Sequence, residues 1–137
     1  MKNLLLIEDN EADVLLTKEV FEEIDNTIII DIARDGAEAI DYLSDVQHAK
    51  RKLPQLILLD INLPKKNGFE VLKYIKSIEK LSQIPVVMMT TSSSKYDIEK
   101  SIELGADGFF TKCSDLNEFE DMLRDFSSQW LKESASK

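Results

Sequence analysis

Short apolar runs in this chain end at residues that could carry chemistry. The run Leu56–Leu59 leads directly into Asp60, and the run Leu4–Ile7 leads into Glu8 and Asp9. A carboxylate at the edge of a hydrophobic core is costly unless a nearby group pairs with it. The acids therefore require positively charged partners, which the rest of the chain must supply.

Two later runs end in groups that could bind an anion. Thr90 closes the apolar run that begins at Pro85, and Lys112 follows a short run from Gly108. Carboxylates held together repel one another unless a cation neutralises them, and Mg2+ suits one or two carboxylates together with water and phosphate. A lysine and a hydroxyl beside such a cation are the groups that hold a phosphoryl oxygen. The residue types thus predict a site for a phosphoryl group on Asp60.

These residues need a scaffold that brings the ends of separate strands together. Apolar strands alternate with helical patterns along the chain, which predicts a parallel α/β sheet. The predicted strands are 4–7, 28–33, 56–59, 85–90 and 108–111, and the predicted helices are 11–24, one opening near 36, 67–80, 95–104 and 115–131. In an open sheet of this class, ligands bind beyond the carboxyl ends of the strands. We therefore expect the polar strand ends to meet at one edge of the sheet.

Each of these residues alone has a simpler explanation. Glu8 and Asp9 could cap the following helix, and the stretch 60–62 could be turn chemistry. Thr90 could be an ordinary strand residue, and Lys112 a solvated surface charge. Their joint placement at four strand ends, in the expected order, favours the phosphoryl site.

Composition limits the class of protein. A chain of 137 residues with 43% apolar residues can form one domain with a full core. Its single cysteine, Cys113, allows no internal disulfide and fits a reducing cytoplasm. The apolar run near the N-terminus is too short for a leader or a membrane span. A formal net charge of -9 argues against binding to nucleic acid or to an anionic membrane surface.

The motifs together identify the chain as similar to a response-regulator receiver domain. They are the acid pair 8–9, "LLDINLPKKNGFEVL" around Asp60, "PVVMMTTS" through Thr90, and "GADGFFTK" up to Lys112. The resemblance covers essentially residues 1–137 as a single domain, with a polar tail at about 132–137. It implies a flavodoxin-like (βα)5 doubly wound parallel sheet with strand order 2-1-3-4-5.

The same resemblance implies a role for each site residue. Asp60 would accept a phosphoryl group from a phosphohistidine on a sensor histidine kinase. Asp9 and Asp60 would bind Mg2+, or Mn2+, with the backbone carbonyl of Asn62, and Glu8 would act through water. Thr90 would donate to the phosphoryl oxygen and Lys112 would pair with it. The switch positions would be Thr90, Thr91 after it, and the aromatic Phe109.

Two departures from the family pattern affect the loops around the site. The family lysine is usually followed by proline in a cis peptide, whereas Lys112 precedes Cys113, for which a cis bond would cost roughly 3 to 4 kcal/mol. The residue after the switch threonine is usually small, whereas Thr91 could narrow access to an acyl phosphate.

Three other classes of protein fit these residues less well. A haloacid-dehalogenase-like phosphatase would need a second acid two residues after Asp60, where this chain has Asn62. A flavodoxin-like flavin carrier would need a phosphate loop after the first strand, where Glu8 and Asp9 would repel a phosphate. An interaction module without phosphorylation would have little reason to keep the acids, the threonine and the lysine together.

The output of such a domain is expected to be binding. No DNA-binding or catalytic segment follows Leu131, and the pattern resembles single-domain regulators paired with phytochrome-type histidine kinases. We predict partner docking or a homodimer through the fourth helix, fifth strand and fifth helix of the predicted fold. Trp130 either packs against the first helix or anchors that interface.

Overall fold

The computed structural model describes residues 2–63, 67–90, 94–112 and 115–130. The strands are β1 (Lys2–Ile7), β2 (Ile28–Ala33), β3 (Leu56–Asp60), β4 (Val86–Thr90) and β5 (Gly108–Thr111). The helices are α1 (Glu11–Ile24), α2 (Gly36–Gln47), α3 (Gly68–Ser77), α4 (Glu79–Ser82), α5 (Lys95–Glu103) and α6 (Leu116–Trp130). Strands and helices therefore alternate as the apolar pattern predicts.

The five strands form one parallel sheet in the order β2-β1-β3-β4-β5. The predicted parallel sheet is confirmed, as is the strand order that the family resemblance implied. Every residue of β3 and of β4 is buried. Continuous aliphatic runs such as Leu56–Leu59 are what strands covered by helices on both faces require.

Helices cover the sheet on both faces, and the sheet separates the core into two apolar clusters. One cluster includes Leu43 of α2, together with Leu72 and Ile75 of α3. The other includes Val20 and Phe21 of α1 and side chains of α6. Helical spacing gives α3 and α6 one apolar face each, and residues of those faces, such as Leu72 and Leu123, are the ones buried in the core.

The predicted helix over 67–80 is wrong in one respect, because it is interrupted. α3 ends before Ile78, whose backbone is extended with φ -112° and ψ 119°, and α4 begins at Glu79. The Ser77 hydroxyl donates to the carbonyl of Tyr74 at 2.8 Å, where it competes with the helical hydrogen bonds. The predicted fourth and fifth helices are consequently α5 and α6.

Polar side chains fix where the helices begin. Asn10 accepts from the backbone N–H of Asp13 and caps α1, so the alternative that Glu8 and Asp9 are the cap is wrong. Asn67 and Glu70 form a reciprocal capping box at the start of α3. α1 starts two residues after Asp9, and α3 starts at Gly68, whose N–H donates to the carbonyl of Ile61 beside Asp60, so both helices begin next to the polar strand ends.

Among the described helices, none combines the length and the apolar character that a membrane crossing requires.

Candidate functional site

The parallel sheet brings the predicted polar residues to one edge. Glu8 and Asp9 follow β1, Asp60 is the last residue of β3, Thr90 is the last residue of β4, and Lys112 follows β5. All four strands run in the same direction, so their carboxyl ends meet at this edge. The expected convergence is therefore present in the structure.

The acids form a compact group. Carboxylate oxygens of Glu8, Asp9 and Asp60 lie within 4.8 Å of one another. Glu8 and Asp60 are buried, whereas Asp9 is exposed and faces the solvent side of the group. Backbone N–H groups orient the two buried acids: Asn10 donates to Glu8 Oε2 at 3.1 Å, and Asn62 donates to Asp60 Oδ1 at 3.0 Å. Two of the three acids thus keep fixed positions before any cation arrives.

Lys112 supplies the positive charge that the acids require. Its Nζ lies 2.5 Å from Glu8 Oε1, 2.9 Å from Asp13 Oδ2 and 3.3 Å from Asp60 Oδ2. Only 6% of its side chain is exposed, so the alternative of a solvated surface lysine is wrong. The ammonium is therefore a structural member of the site.

Asp13 is a site residue that the sequence analysis missed. It lies in the first turn of α1, four residues after Asp9, and its carboxylate contacts Lys112. Its position in the sequence could have indicated this role, because the helix turn that directly follows the acid pair must lie close to the end of the preceding strand. Its partner, however, lies 99 residues away in the sequence, which local spacing does not reveal.

Burial and charge shift the pKa values of the buried pair. Burial, followed by repulsion from Asp60, raises the pKa of Glu8 to about 8, despite the opposing hydrogen bond from Lys112. For Lys112, burial acts to lower the pKa, but the hydrogen bond to Glu8 and the attraction of Asp60 outweigh it, so the pKa rises. The lysine is therefore firmly charged, and the acid group holds more negative charge than one ammonium balances.

Thr90 lies beside Asp60 on the neighbouring strand. It is fully buried, and its hydroxyl oxygen lies 3.4 Å from the side-chain nitrogen Nδ2 of Asn62. Its backbone carbonyl accepts from the N–H of Lys112 at 2.7 Å, which ties the ends of β4 and β5 together. Phe109, three residues before Lys112, is half-buried and packs against the core. Thr91 and the Lys112–Cys113 peptide bond lie outside the described residues.

The donor set fits a small divalent cation. Three carboxylates provide oxygen ligands, the ligand type that Mg2+ and Mn2+ prefer, and one of the three is open to solvent. A dication would also neutralise the charge that Lys112 leaves unbalanced. The same edge offers a hydroxyl and an ammonium for an anion, so the arrangement suits an anion bound beside a metal.

Comparison with known proteins decides the family. The family model described as the response regulator receiver domain matches residues 4–124. The chain belongs to this family. A relative of this receiver domain, the response regulator Rcp1 of Synechocystis sp., is 41% identical over 133 residues, covering 95% of this chain and 89% of that protein. The resemblance drawn from the sequence motifs is confirmed.

Two solved structures resemble this receiver domain closely. One is the phosphorylated cyanobacterial phytochrome response regulator RcpA, with a TM-score of 0.90, 39% identity and coverage of 96% of this chain and 94% of that one. The other is the Mn2+-bound form of response regulator Rcp1, with a TM-score of 0.90, 39% identity and coverage of 97% and 96%. The receiver fold and the likeness to phytochrome-associated regulators are confirmed.

Proposed function

We propose that this receiver domain accepts a phosphoryl group on Asp60 from a phosphohistidine of a sensor histidine kinase. One observation supports this most directly: the Asp60 carboxylate lies within 4.8 Å of carboxylate oxygens of Glu8 and Asp9, and its Oδ2 lies 3.3 Å from the Lys112 ammonium. A carboxylate oxygen of Asp60 would attack phosphorus as the phosphorus–nitrogen bond breaks. The electron pair returns to the imidazole, which takes up a proton. Transfer of this kind rests on positioning and charge stabilisation.

The residues that would hold the cation are those of the acid group. Asp9 and Asp60 would bind Mg2+, or Mn2+, through their carboxylates, with the backbone carbonyl of Asn62 as a third protein ligand. Glu8 would act through a water molecule. The cation would offset the repulsion between the acids and the incoming phosphoryl oxygens. The oxygen-only donor set and its solvent-facing acid support this proposal.

Thr90 and Lys112 would bind the phosphoryl oxygens and start the switch. The Thr90 hydroxyl would move toward the new oxygen, and the space it leaves would let Phe109 rotate inward. This would bias the surface formed by α5, β5 and α6 toward its partner-binding form. Thr91 would set how easily water reaches the acyl phosphate during slow autodephosphorylation.

The finer identity of the partners is also a proposal. The kinase would be of the phytochrome type, because the similar protein RcpA is described as a phytochrome response regulator. The chain would act as one cytoplasmic domain, and its charge of -9 favours proteins over nucleic acid or anionic membranes as partners. A homodimer through the α5, β5 and α6 surface would be one form of output.

Mass spectrometry tests the phosphoryl acceptor. After incubation with acetyl phosphate and Mg2+, we expect wild type to gain one phosphoryl mass and Asp60→Asn to gain none, because an amide cannot replace the carboxylate nucleophile. Asp41→Asn, which alters an exposed acid of α2, should behave as wild type. Phosphorylation of Asp60→Asn, or an unchanged rate with a metal chelator, would contradict the proposal.

A further inference from the structure

Asp13 holds a fixed place beside the phosphoryl site. Its backbone N–H donates to the Asn10 side chain at 3.0 Å, and its carbonyl accepts from the Thr17 hydroxyl at 2.7 Å. Its side chain, 27% exposed, places Oδ2 at 2.9 Å from Lys112 Nζ. The contact therefore joins a well-anchored helix turn to a buried ammonium.

The three N–H donors of the Lys112 ammonium are matched by three carboxylate partners. A lysine carries three N–H donors, and Lys112 faces the carboxylates of Glu8, Asp13 and Asp60. A phosphoryl oxygen can gain a donor only if one of these contacts weakens. The contact with Asp60 is the longest, at 3.3 Å, and that carboxylate becomes the phosphorylated group itself. The acids that remain then compete with the phosphoryl oxygen for Lys112.

The charges make Asp13 the important competitor. Phosphorylation of Asp60 replaces a single negative charge by about two. Glu8 belongs to the acid group whose charge the cation offsets, whereas Asp13 lies outside that group. Its negative charge therefore stays directed at Lys112 and adds to the repulsion of the phosphoryl group.

We propose that Asp13 is a positioning residue that retains Lys112 in its resting place and so weakens the phosphorylated state. The inference rests on the proposed phosphorylation of Asp60. The carboxylate of Asp13 lies outside the acid group that would hold the cation, and it would act through its contact with the lysine. It gives the resting receiver a defined lysine position and lowers the affinity for a phosphoryl group.

The affinity for beryllofluoride, a mimic of the phosphoryl group, tests this role. At saturating Mg2+, we expect Asp13→Asn to bind beryllofluoride about three- to fivefold more tightly than wild type, the size of effect that a partly exposed ion pair supports. Glu11→Gln is the matched control, because Glu11 lies in the same helix turn but pairs with Arg34 on the surface. Its affinity should stay within about twofold of wild type.

Two further measurements separate positioning from a loss of structure. Asp13→Glu keeps the carboxylate and should not tighten binding. The nitrogen NMR signal of the Lys112 ammonium should shift in Asp13→Asn and not in Glu11→Gln. Unchanged or weaker beryllofluoride binding by Asp13→Asn, or equal tightening in Glu11→Gln, overturns the role of Asp13. Failure of wild type to bind beryllofluoride would instead contradict phosphorylation at Asp60.

Discussion

Lys112 is the residue on which the resting site depends. Its side chain is nearly fully buried, and the side chains of Glu8 and Asp60, at 1% and 7% exposure, are buried with it. Transfer of several charges out of water is expensive, and attraction between them compensates only while each keeps its partner. The loss of the ammonium would leave the carboxyl groups of Glu8 and Asp60 buried together without their shared donor, so the cost should be large even where Glu8, with its pKa raised to about 8, takes up a proton.

Replacement of Lys112 by methionine tests this dependence. We expect Lys112→Met to lower the free energy of unfolding by about 3 kcal/mol in chelator, the cost of leaving buried charges unpaired. Added Mg2+ should restore more stability to the variant than to wild type, because a cation replaces the missing charge. Urea denaturation with and without Mg2+ measures both effects. Lys95→Met, which removes a lysine that is 88% exposed, is the control. Equal unfolding midpoints for the two variants would contradict the argument.

The residue types at the site were easier to predict from the sequence than the ion pairs between them. Asp60, Thr90 and Lys112 stand at the ends of apolar runs, and a parallel sheet must bring such ends together. The ion pair between Asp13 and Lys112 depends instead on how α1 is placed beside the end of β5. That placement comes from packing in the core, and no local pattern in the sequence indicates which residues will pack together.

The start of α3 packs directly against the backbone at the end of β3. The N–H of Gly68 donates to the carbonyl of Ile61 at 2.8 Å. A Cβ atom on Gly68 would lie 2.7 Å from the Cα of Ile61 and closer still to the carbonyl oxygen of Asp60. Only glycine permits α3 to begin against the backbone of Asp60 and Ile61.

Gly68→Ala should therefore displace α3 from the end of β3. We expect a loss of about 2 kcal/mol in unfolding free energy, in the range for overpacking a rigid site, together with weaker Mg2+ binding. Gly105→Ala is the comparison, because its Cβ would have ordinary 3.6 Å contacts but its φ of +97° is unfavourable. It should lose stability yet keep the Mg2+ affinity of wild type. Thermal unfolding and metal titration of both variants would decide, and wild-type Mg2+ affinity in Gly68→Ala would refute the displacement.

The boundary between α3 and α4 shows where periodicity stops being informative. Ile75, Ile78 and Leu81 keep helical spacing across the break, so the apolar pattern predicts one helix through it. The interruption at Ile78 is a backbone change that leaves the buried face in phase. Strands β1 to β5 were predictable because their continuous apolar runs are separated by amphipathic helices and polar turns.

At the scale of the whole molecule, large apolar side chains remain exposed near one edge of the sheet. Tyr96 and Ile102 of α5 are 63% and 65% exposed, and Leu116 of α6 is 68% exposed. β5 is the edge strand on this side, next to α5 and α6. Trp130 ends α6, but its side chain lies outside the described part of the chain, so its role as an anchor stays a prediction.

Self-association through this α5, β5 and α6 surface should strengthen when the site is occupied. Beryllofluoride with Mg2+ should shift wild type toward a dimer, because in the proposed switch an occupied site would favour the inward position of Phe109 on β5 and so the binding form of the surface. Ile102→Lys should weaken that dimer at least about tenfold, since it introduces a charge into an apolar contact. Leu15→Lys, at a 54% exposed position of α1, should not weaken it. Sedimentation of the three proteins gives the answer: a monomer under all conditions excludes the homodimer, and equal weakening by both substitutions excludes this surface.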